Sequence, residues 1–243
     1  MMGYTNPPII EAVCEFRFTH DTEWDATVPG LIYSAVQDRF PRKEQRITQE
    51  IAVSPQSPTE GDVKVQTSER TVFLTKDKNK QIQIAPRLLA INRLKPYTKW
   101  EDFKADIEYA YDILTSNVDL KGLQRVGLRY INLIEIPSSG TEKIDLEDYF
   151  EFRPELGLEL SKTPMIDFIV GCLQQYAEER DLCRTQLRTS GGTSFILDMD
   201  YFLAKPETIA LDQALKWVDE AHTNIVTVFE NCITDTLRDV LGR

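Results

Sequence analysis

The sequence predicts an α+β protein in which a unit of strand, helix, antiparallel strands and helix occurs twice. Residues 123–136 alternate apolar with charged side chains, the period-two pattern of a strand that has one apolar face. The core of this pattern occurs again near the N-terminus, where residues 14–19 align with residues 126–131 and Arg17 matches Arg129. After each of these strands, further strand patterns lead to a helix with an apolar stripe.

The first half is predicted to cover residues 1–120. Period-two alternation indicates its strands, and apolar residues at helical spacing indicate its helices. Proline and glycine mark the boundaries, since proline disfavours helix at the residue before it. The predicted elements are a strand over 10–18, a helix within 24–40, a strand over 45–54, a loop over 55–61, strands over 70–75 and 80–85, a continuation of the last strand over 88–94, and a helix over 100–114.

The second half is predicted to cover residues 121–243. Gly191-Gly192 is a strong turn signal and joins two strands as a hairpin. The last helix, with about 30 residues at 1.5 Å each, would span roughly 45 Å. The predicted elements are the central strand over 123–136, a short helix over 145–152, strands over 165–175, 182–189 and 194–201, and a helix over 211–241. Helix is the alternative for 165–175, because its apolar run lacks alternation.

The two halves are predicted to form one continuous globular unit. A second echo supports the repeat, because Lys99-Trp100 opens the first closing helix and Lys216-Trp217 lies near the start of the second. We therefore expect the sheets to join around a pseudo-two-fold axis, with the long helices covering one face. This order resembles the half-unit of the TATA-binding-protein-like fold, in architecture only.

Composition and charge limit the function classes. The 243 residues are 42% apolar, enough for a large core, and carry a formal net charge of -11. This charge argues against nucleic acid or an anionic membrane as a partner, because each neutralised phosphate needs a lysine or arginine. No membrane-spanning apolar run and no signal-peptide pattern occur, so we expect a cytoplasmic protein. No cofactor is predicted, since Gly191-Gly192 lacks the setting of a phosphate loop.

Cysteines and histidines give no motif for catalysis. The four cysteines lack Cys-x-x-Cys spacing and lie in apolar patterns, which predicts reduced core residues rather than disulfides or metal ligands. His222 lies near the apolar stripe of the last helix and is interpreted as a packed or surface residue, because no nucleophile motif accompanies it. The cysteines are Cys14, Cys172, Cys183 and Cys232, and the other histidine is His20.

Arg17 and Arg129 are the leading candidates for ligand binding, together with Arg125. Under the repeat, Arg17 and Arg129 occupy equivalent positions on adjacent central strands and share the face opposite the helices. Arginine binds phosphate or carboxylate through two parallel hydrogen bonds, so an anionic ligand is the expected one. The alternative is that Glu15, Glu135 and other carboxylates neutralise the arginines on a solvated sheet face.

Asp198 and Asp200 are weak candidates for metal ligands or acid/base groups, because they share one face of a strand. An even hairpin register would set them beside Cys183 and Thr185, whereas an odd register would pair them with Arg184 and its neighbours on that face. Charge complementarity favours the odd register and structural ion pairs over a metal.

Asn92 and Tyr97 belong to a polar and aromatic corner that precedes a predicted helix. Either side chain could line a ligand site. The alternative is that the two residues cap the start of the helix and pack against it, a common role for asparagine and tyrosine at such positions.

Several stretches together resemble one uncharacterised prokaryotic family of similar length and sporadic distribution. They are Asn-Pro-Pro-Ile-x-Glu-Ala-Val over residues 6–13, Ile91-Asn92-Arg93-Leu94 with Tyr97 and Trp100, Arg-Val-Gly-Leu-Arg-Tyr-Ile-Asn over residues 125–132, and Leu197-Asp198-Met199-Asp200 with His222, Phe229-Glu230 and Ile233-Thr234-Asp235. The resemblance implies no catalytic residue, because none is established for the family. Leu133 stands where the family usually has an arginine, which removes one positive charge from the central strand. Sporadic occurrence implies a mobile or defence-linked accessory gene.

Three function classes follow from these patterns. The favoured hypothesis is a soluble, non-enzymatic binding protein whose polar sheet face recognises an anionic small molecule or a protein partner. The second class is a metal-dependent enzyme that uses Asp198 and Asp200, with the arginines as an anion clamp. The third is a structural subunit, for example of a homodimer, in which Tyr130, Trp100 and the last helix mediate self-association.

Overall fold

A computed structural model describes residues 4–53, 63–137 and 144–243 of the chain. These residues form one antiparallel sheet and four α-helices, which confirms the α+β class. The strands are β1 Ile9–Phe18, β2 Arg42–Val53, β3 Val63–Leu74, β4 Lys80–Ala85, β5 Leu88–Leu94, β6 Leu123–Glu135, β7 Ile169–Tyr176, β8 Asp181–Thr189 and β9 Ser194–Leu203. The helices are α1 Val28–Val36, α2 Trp100–Asn117, α3 Ala214–Cys232 and α4 Asp235–Val240.

The nine strands follow the order β2-β3-β4-β5-β1-β6-β9-β8-β7 across the sheet. β1 and β6 are neighbours at the centre and run antiparallel to each other. The strand that precedes α2, which is β5, lies beside β1, and the strand that precedes α3, which is β9, lies beside β6. One continuous sheet therefore extends from the first half of the chain into the second.

Buried aromatic side chains of the sheet pack against α2 and α3. Phe16 of β1 contacts Tyr111 of α2 with ring centroids 4.8 Å apart, and Tyr201 of β9 contacts Trp217 of α3 at 5.7 Å. All four side chains are buried. Because successive strand residues point to opposite faces, Arg17 lies on the other side of the sheet, which we call the outer face.

A buried ion cluster ties α2 to the sheet. Asp106 of α2 is only 2% exposed. Its carboxylate lies 2.8 Å from Arg39 Nη2, 2.9 Å from Lys80 Nζ and 3.1 Å from Arg93 Nη1. One carboxylate thus joins the segment after α1, β4 and β5, and it holds three cations that would otherwise repel one another.

The prediction that residues 88–94 continue the preceding strand is wrong. Ala85 pairs with Leu88, so Pro86 and Arg87 form a two-residue turn and β5 runs back along β4. Arg87 has a φ of 57°, in the left-handed region that residues with side chains rarely adopt. The turn therefore carries no glycine signal in the sequence.

The prediction of one last helix over 211–241 is also wrong. α3 ends at Cys232, and Ile233 is extended, with φ -122° and ψ 152°. Ile233 forms a β-bridge with Phe150. Thr234 then starts α4, because its hydroxyl oxygen accepts a hydrogen bond from the backbone N–H of Leu237 at 3.3 Å.

Other elements differ from prediction mainly at their ends. The helix within 24–40 is limited to Val28–Val36, the short helix over 145–152 is a 3-10 turn over Leu146–Asp148, and the loop over 55–61 falls outside the described residues. Within the described ranges, none of the helices combines the length and the apolar run needed to cross a membrane.

Candidate functional site

The register of β1 and β6 decides where the candidate arginines lie. Arg17 pairs with Arg125, and Val13 pairs with Arg129. Because side chains on one strand face recur at every second residue, all three arginines lie on the outer face. Arg17 and Val13 are four residues apart along β1, which corresponds to roughly 13 Å at about 3.3 Å per residue. Arg17 and Arg129 therefore share a face but do not form one clamp around a small anion.

Arg125 links two carboxylates from the neighbouring strands. Its Nη2 lies 2.9 and 3.1 Å from the two carboxylate oxygens of Asp200, and its Nη1 lies 3.4 Å from Glu15 Oε1. Burial raises the pKa of the Asp200 carboxyl, and the positive charges of Arg125 and Arg129 oppose this effect. The guanidinium also lies 4.7 Å from the ring centroid of Phe202, a cation–π contact.

Arg129 is paired with Asp198 through both arms of the guanidinium. Nε donates to one oxygen of Asp198 at 2.7 Å, and Nη2 donates to the other. Arginine would bind an anionic ligand with this two-point geometry, but here the carboxylate of Asp198 accepts both hydrogen bonds. The hydrogen bond to Asp198 raises the pKa of Arg129.

The odd register predicted for the second hairpin is confirmed, with Asp200 opposite Arg184 and Asp198 opposite Gln186. Each of these carboxylates accepts hydrogen bonds on both of its oxygens, so a cation would have to displace an arginine. No group of three or more His, Cys, Asp and Glu residues suited to a metal ion occurs in the described parts of the chain.

Asn92 and Tyr97 lie on different sides of the sheet. Asn92 is on the outer face of β5, where its amide donates to Glu11 Oε1 at 2.6 Å and accepts from Gln83 Nε2 at 2.8 Å. Tyr97 packs edge-on against Phe103 of α2, with ring centroids 6.2 Å apart. Packing of Tyr97 at the start of α2 agrees with its alternative role, whereas Asn92 caps no helix.

A cleft of about 900 Å³ lies at the end of β1, between the ends of the strands and the segment that leads into α1. We call it the arginine cleft, because Arg17, Arg70 and Arg87 line it together with His20 and Trp24. The backbone N–H of Phe18 donates to the carbonyl oxygen of Arg87 at 2.9 Å. This bond fixes the β4–β5 turn beside the end of β1, and so brings Arg87 to the same cleft as Arg17.

The predicted site contains Arg17 of this cleft but not its other members. Arg70 lies on β3, which reaches the region only through the order of the sheet. Arg87 has no ion pair with any described residue, and its position depends on a turn that contains no glycine. The local signal for this turn was Pro86, a residue type that is common in hairpin turns.

Acidic and basic side chains meet at the base of the arginine cleft. The carboxylate of Glu15 lies 2.7 Å from Arg17 Nε, 3.4 Å from Arg125 Nη1 and 3.8 Å from Arg70 Nη1. The carboxylate of Glu15 thus contacts three arginines, and Arg70 is 9% exposed. The carboxylates of Asp25 and Glu69 also line the cleft, but both residues are exposed, where water screens their charge.

The remaining candidates lie in the core. His222 is 8% exposed and stacks on Trp100, with ring centroids 3.9 Å apart. Tyr130 is 1% exposed, so it cannot mediate the self-association expected of a structural subunit. All four cysteines are free thiols, and Cys14, Cys183 and Cys232 are buried. Burial raises the pKa of each of these three thiols.

Comparisons with known proteins assign no family and no function to this chain. The family resemblance carried by residues 6–13 and 125–132 stays a prediction. No protein-family model matches the chain, and no curated protein matches it.

Proposed function

We propose that this chain is a non-enzymatic binding protein that takes an anionic small molecule into the arginine cleft. The observation that carries the proposal is the meeting of Arg17, Arg70 and Arg87 in one open cleft. Arg87 has no carboxylate partner among the described residues, and its side chain is half-buried. A phosphate or carboxylate group would supply the partner that guanidinium geometry favours.

The other lining residues define the rest of the ligand. Trp24 is half-buried at the cleft, and Phe18 and Leu88 are buried beside it. Aromatic and aliphatic surface next to cationic groups is typical of a small-molecule site, in which a few polar groups fix the orientation. We therefore expect an anion that carries a planar or apolar part rather than an inorganic ion alone.

The cleft replaces Arg129 as the centre of the proposed site. Arg129 already holds Asp198 in a two-point pair, and a ligand there would have to break that pair. The same pairs weaken the alternative of a metal-dependent enzyme, because Asp198 and Asp200 are both engaged by arginines. Binding at the cleft requires no such exchange at Arg87.

A thermal-shift panel tests the proposal with the wild type, Arg87→Gln and Arg129→Gln. The two variants remove the same charge from the outer face, so Arg129→Gln is the matched control. The probes are inorganic phosphate, pyrophosphate, nucleoside monophosphates, aromatic carboxylates and divalent metal chlorides. A ligand at 100 times its Kd should raise the Tm of the wild type and of Arg129→Gln by roughly 5–10 °C.

Two results would overturn the proposal. One is a panel in which no anion stabilises the wild type, a result that would favour a protein partner instead. The other is an anion whose effect survives in Arg87→Gln and is lost in Arg129→Gln. Stabilisation by a divalent metal that disappears in Asp198→Asn would favour the enzyme alternative.

We also infer that the fold is a duplicated unit. The register of the central pair supports this: Cys14 lies opposite Leu128, and Phe16 lies opposite Val126. The repeat aligns Cys14 with Val126 and Phe16 with Leu128, so each pair maps onto the other. Contacts of β1 with α2 and of β9 with α3 support the inference that the longer helices cover one face. In the described residues the second half holds no counterpart of α1 and β2, a departure from the TATA-binding-protein-like order.

The proposal includes a cytoplasmic location and an accessory, defence-linked role. The location is supported by free cysteines buried in the core, since reduced thiols are usual in the cytosol. The role rests on the family resemblance. Growth of a host with and without the gene under phage challenge would test it, and equal survival would count against it.

A further inference from the structure

A second cavity lies on the opposite side of the sheet from the arginines. It measures about 240 Å³ and is bounded by the lead-in to β1, the start of α2, β6 and α3. We call it the aromatic pocket, because Tyr4, Tyr97, Trp100, Tyr130 and His222 line it. At about 30 Å³ for each water in the liquid, the volume equals roughly eight waters, which suits one or two fused rings.

The aromatic side chains hold one another in fixed positions. Trp100 and His222 stack at 3.9 Å with an angle of 7° between their rings, and Tyr97 meets Tyr130 edge-on at 5.8 Å. Trp100 is on α2, His222 on α3 and Tyr130 on β6, so three elements set the shape. Tyr4 and Tyr97 complete the lining from the segments that precede β1 and α2.

The polar atoms of the pocket have unused hydrogen-bonding capacity. The hydroxyls of Tyr97 and Tyr130 are 3.3 Å apart, and neither has another hydrogen-bond partner among the described residues. Two hydroxyl protons share one hydrogen bond, so one proton has no acceptor. His222 is more than nine-tenths buried, and neither of its ring nitrogens forms a hydrogen bond within the described chain. Because the two nitrogens are not fully enclosed, they are free to bond a molecule in the pocket.

His222 offers both a donor and an acceptor. Burial lowers the pKa of its imidazole to about 4, so at neutral pH one nitrogen carries a proton and the other a lone pair. Lys99 and Glu101 also line the pocket, and both are exposed and of opposite charge. The interior therefore presents aromatic surface, a phenol donor and a neutral imidazole, with no net charge to attract an ion.

We propose that the aromatic pocket binds a neutral, planar heteroaromatic ring of nucleobase size, whose polar edge is hydrogen-bonded by His222 and by the hydroxyls of Tyr97 and Tyr130. Such a ring provides acceptors for the phenol proton and the imidazole N–H, and a donor for the free imidazole nitrogen. This site is separate from the arginine cleft, so a negative result at one site leaves the proposal for the other unchanged.

Isothermal titration calorimetry with adenine, cytosine and uracil tests the proposal. The proteins are the full-length wild type, His222→Phe, Tyr130→Phe and, as a control at an exposed position outside both cavities, Lys162→Gln. Phenylalanine at position 222 keeps a ring to stack on Trp100 and removes both nitrogens, and Tyr130→Phe removes only a hydroxyl. At least one base should bind the wild type and Lys162→Gln with equal affinity. The same base should bind each phenylalanine variant roughly tenfold more weakly.

Additional probes show which larger molecule carries the ring and whether the pocket binds cations instead. The matching nucleoside and nucleoside monophosphate show whether the ring is bound alone or with its sugar. Tetramethylammonium is the probe for an aromatic cage that binds cations instead. Absence of binding by all three bases at millimolar concentration would overturn the proposal, as would unchanged affinity in both phenylalanine variants or binding of tetramethylammonium alone.

Discussion

Glu15 of β1 lies directly opposite Gly127 of β6, and the missing side chain at Gly127 makes room for the guanidinium of Arg125. A Cβ atom on Gly127 would lie 2.4 Å from Arg125 Nη1 and 2.9 Å from its Cζ. From this position Arg125 reaches both Glu15 and Asp200. The glycine at the centre of the sheet therefore supports the ion pairs of the outer face.

The first prediction concerns Gly127→Ala. The added methyl group should move the guanidinium of Arg125 away from Glu15 and Asp200, and so lower the free energy of unfolding by about 1 kcal/mol. This is a net value, because replacing a strand glycine by alanine by itself stabilises by about 0.5 kcal/mol. Urea unfolding followed by circular dichroism measures the change.

A double-mutant cycle with Arg125→Ala isolates the cause. In the Arg125→Ala background the methyl group meets no guanidinium, so Gly127→Ala should become neutral or stabilising. The same loss of stability in both backgrounds would show that Gly127 has another role.

The second prediction concerns the buried cluster at Asp106. Asp106→Asn removes the charged carboxylate that Arg39, Lys80 and Arg93 share, and should cost about 3–5 kcal/mol of unfolding free energy. Asp219→Asn is the control, because Asp219 pairs with Lys104 and its side chain is 42% exposed. Its cost should be below about 1 kcal/mol. Equal costs for the two variants would contradict the account of the cluster.

The third prediction is a loss of stability in acid that depends on His222. Burial lowers the pKa of His222 to about 4 from an ordinary value of 6.5. Between these values the unfolded chain binds a proton that the folded protein does not, so the free energy of unfolding falls as the pH falls. From pH 7 to pH 5 this group should contribute a loss of about 2 kcal/mol.

His222→Gln should therefore lose less stability than the wild type over the same pH range. Urea titrations of both proteins at pH 7 and pH 5 provide the comparison, and groups common to both proteins cancel in the difference. Identical losses would mean that folding does not lower the pKa of His222.

The fourth prediction concerns the break between α3 and α4. Thr234 caps α4, and its hydroxyl also donates to the carbonyl oxygen of Asp148. Thr234→Ala should lower the free energy of unfolding by about 1 kcal/mol, whereas Thr234→Ser keeps the hydroxyl and should stay within about 0.5 kcal/mol of the wild type. A larger effect of serine than of alanine would contradict the capping role.

Much of the sheet could be predicted because its signals are local. β1, β6, β8 and β9 alternate apolar and polar residues, and the Gly191-Gly192 turn has positive φ angles of 95° and 58°. The odd register of β8 and β9 followed from charge, since it sets Asp200 opposite Arg184.

The wrong predictions arose where distant contacts decide the backbone. Arg87 adopts a positive φ without a glycine, in a turn whose carbonyl is bonded to Phe18. The last helix is broken at Ile233 by a bridge to Phe150, far away in the sequence. Neither partner can be read from the local pattern.

For the same reason, only part of the site could be predicted from the sequence. Arg17 was identified from its strand, but Arg70 reaches it only through the order of the sheet. The partner of Arg129 likewise depends on the pairing of β6 with β9, which brings Asp198 within reach. Residue types on one strand therefore indicated charge on the outer face, but not which arginine remains open to a ligand.

The central claim is that Arg87 and the cleft around it bind an anion. Calorimetric titration of wild type, Arg87→Gln and Arg129→Gln with the most stabilising anion of the thermal-shift panel tests it most directly. We predict a roughly 10- to 100-fold loss of affinity in Arg87→Gln, since a hydrogen bond to a charged group contributes about 1.5–3 kcal/mol, and a change below about twofold in Arg129→Gln. Equal affinity of the wild type and Arg87→Gln, or a loss confined to Arg129→Gln, would contradict the claim.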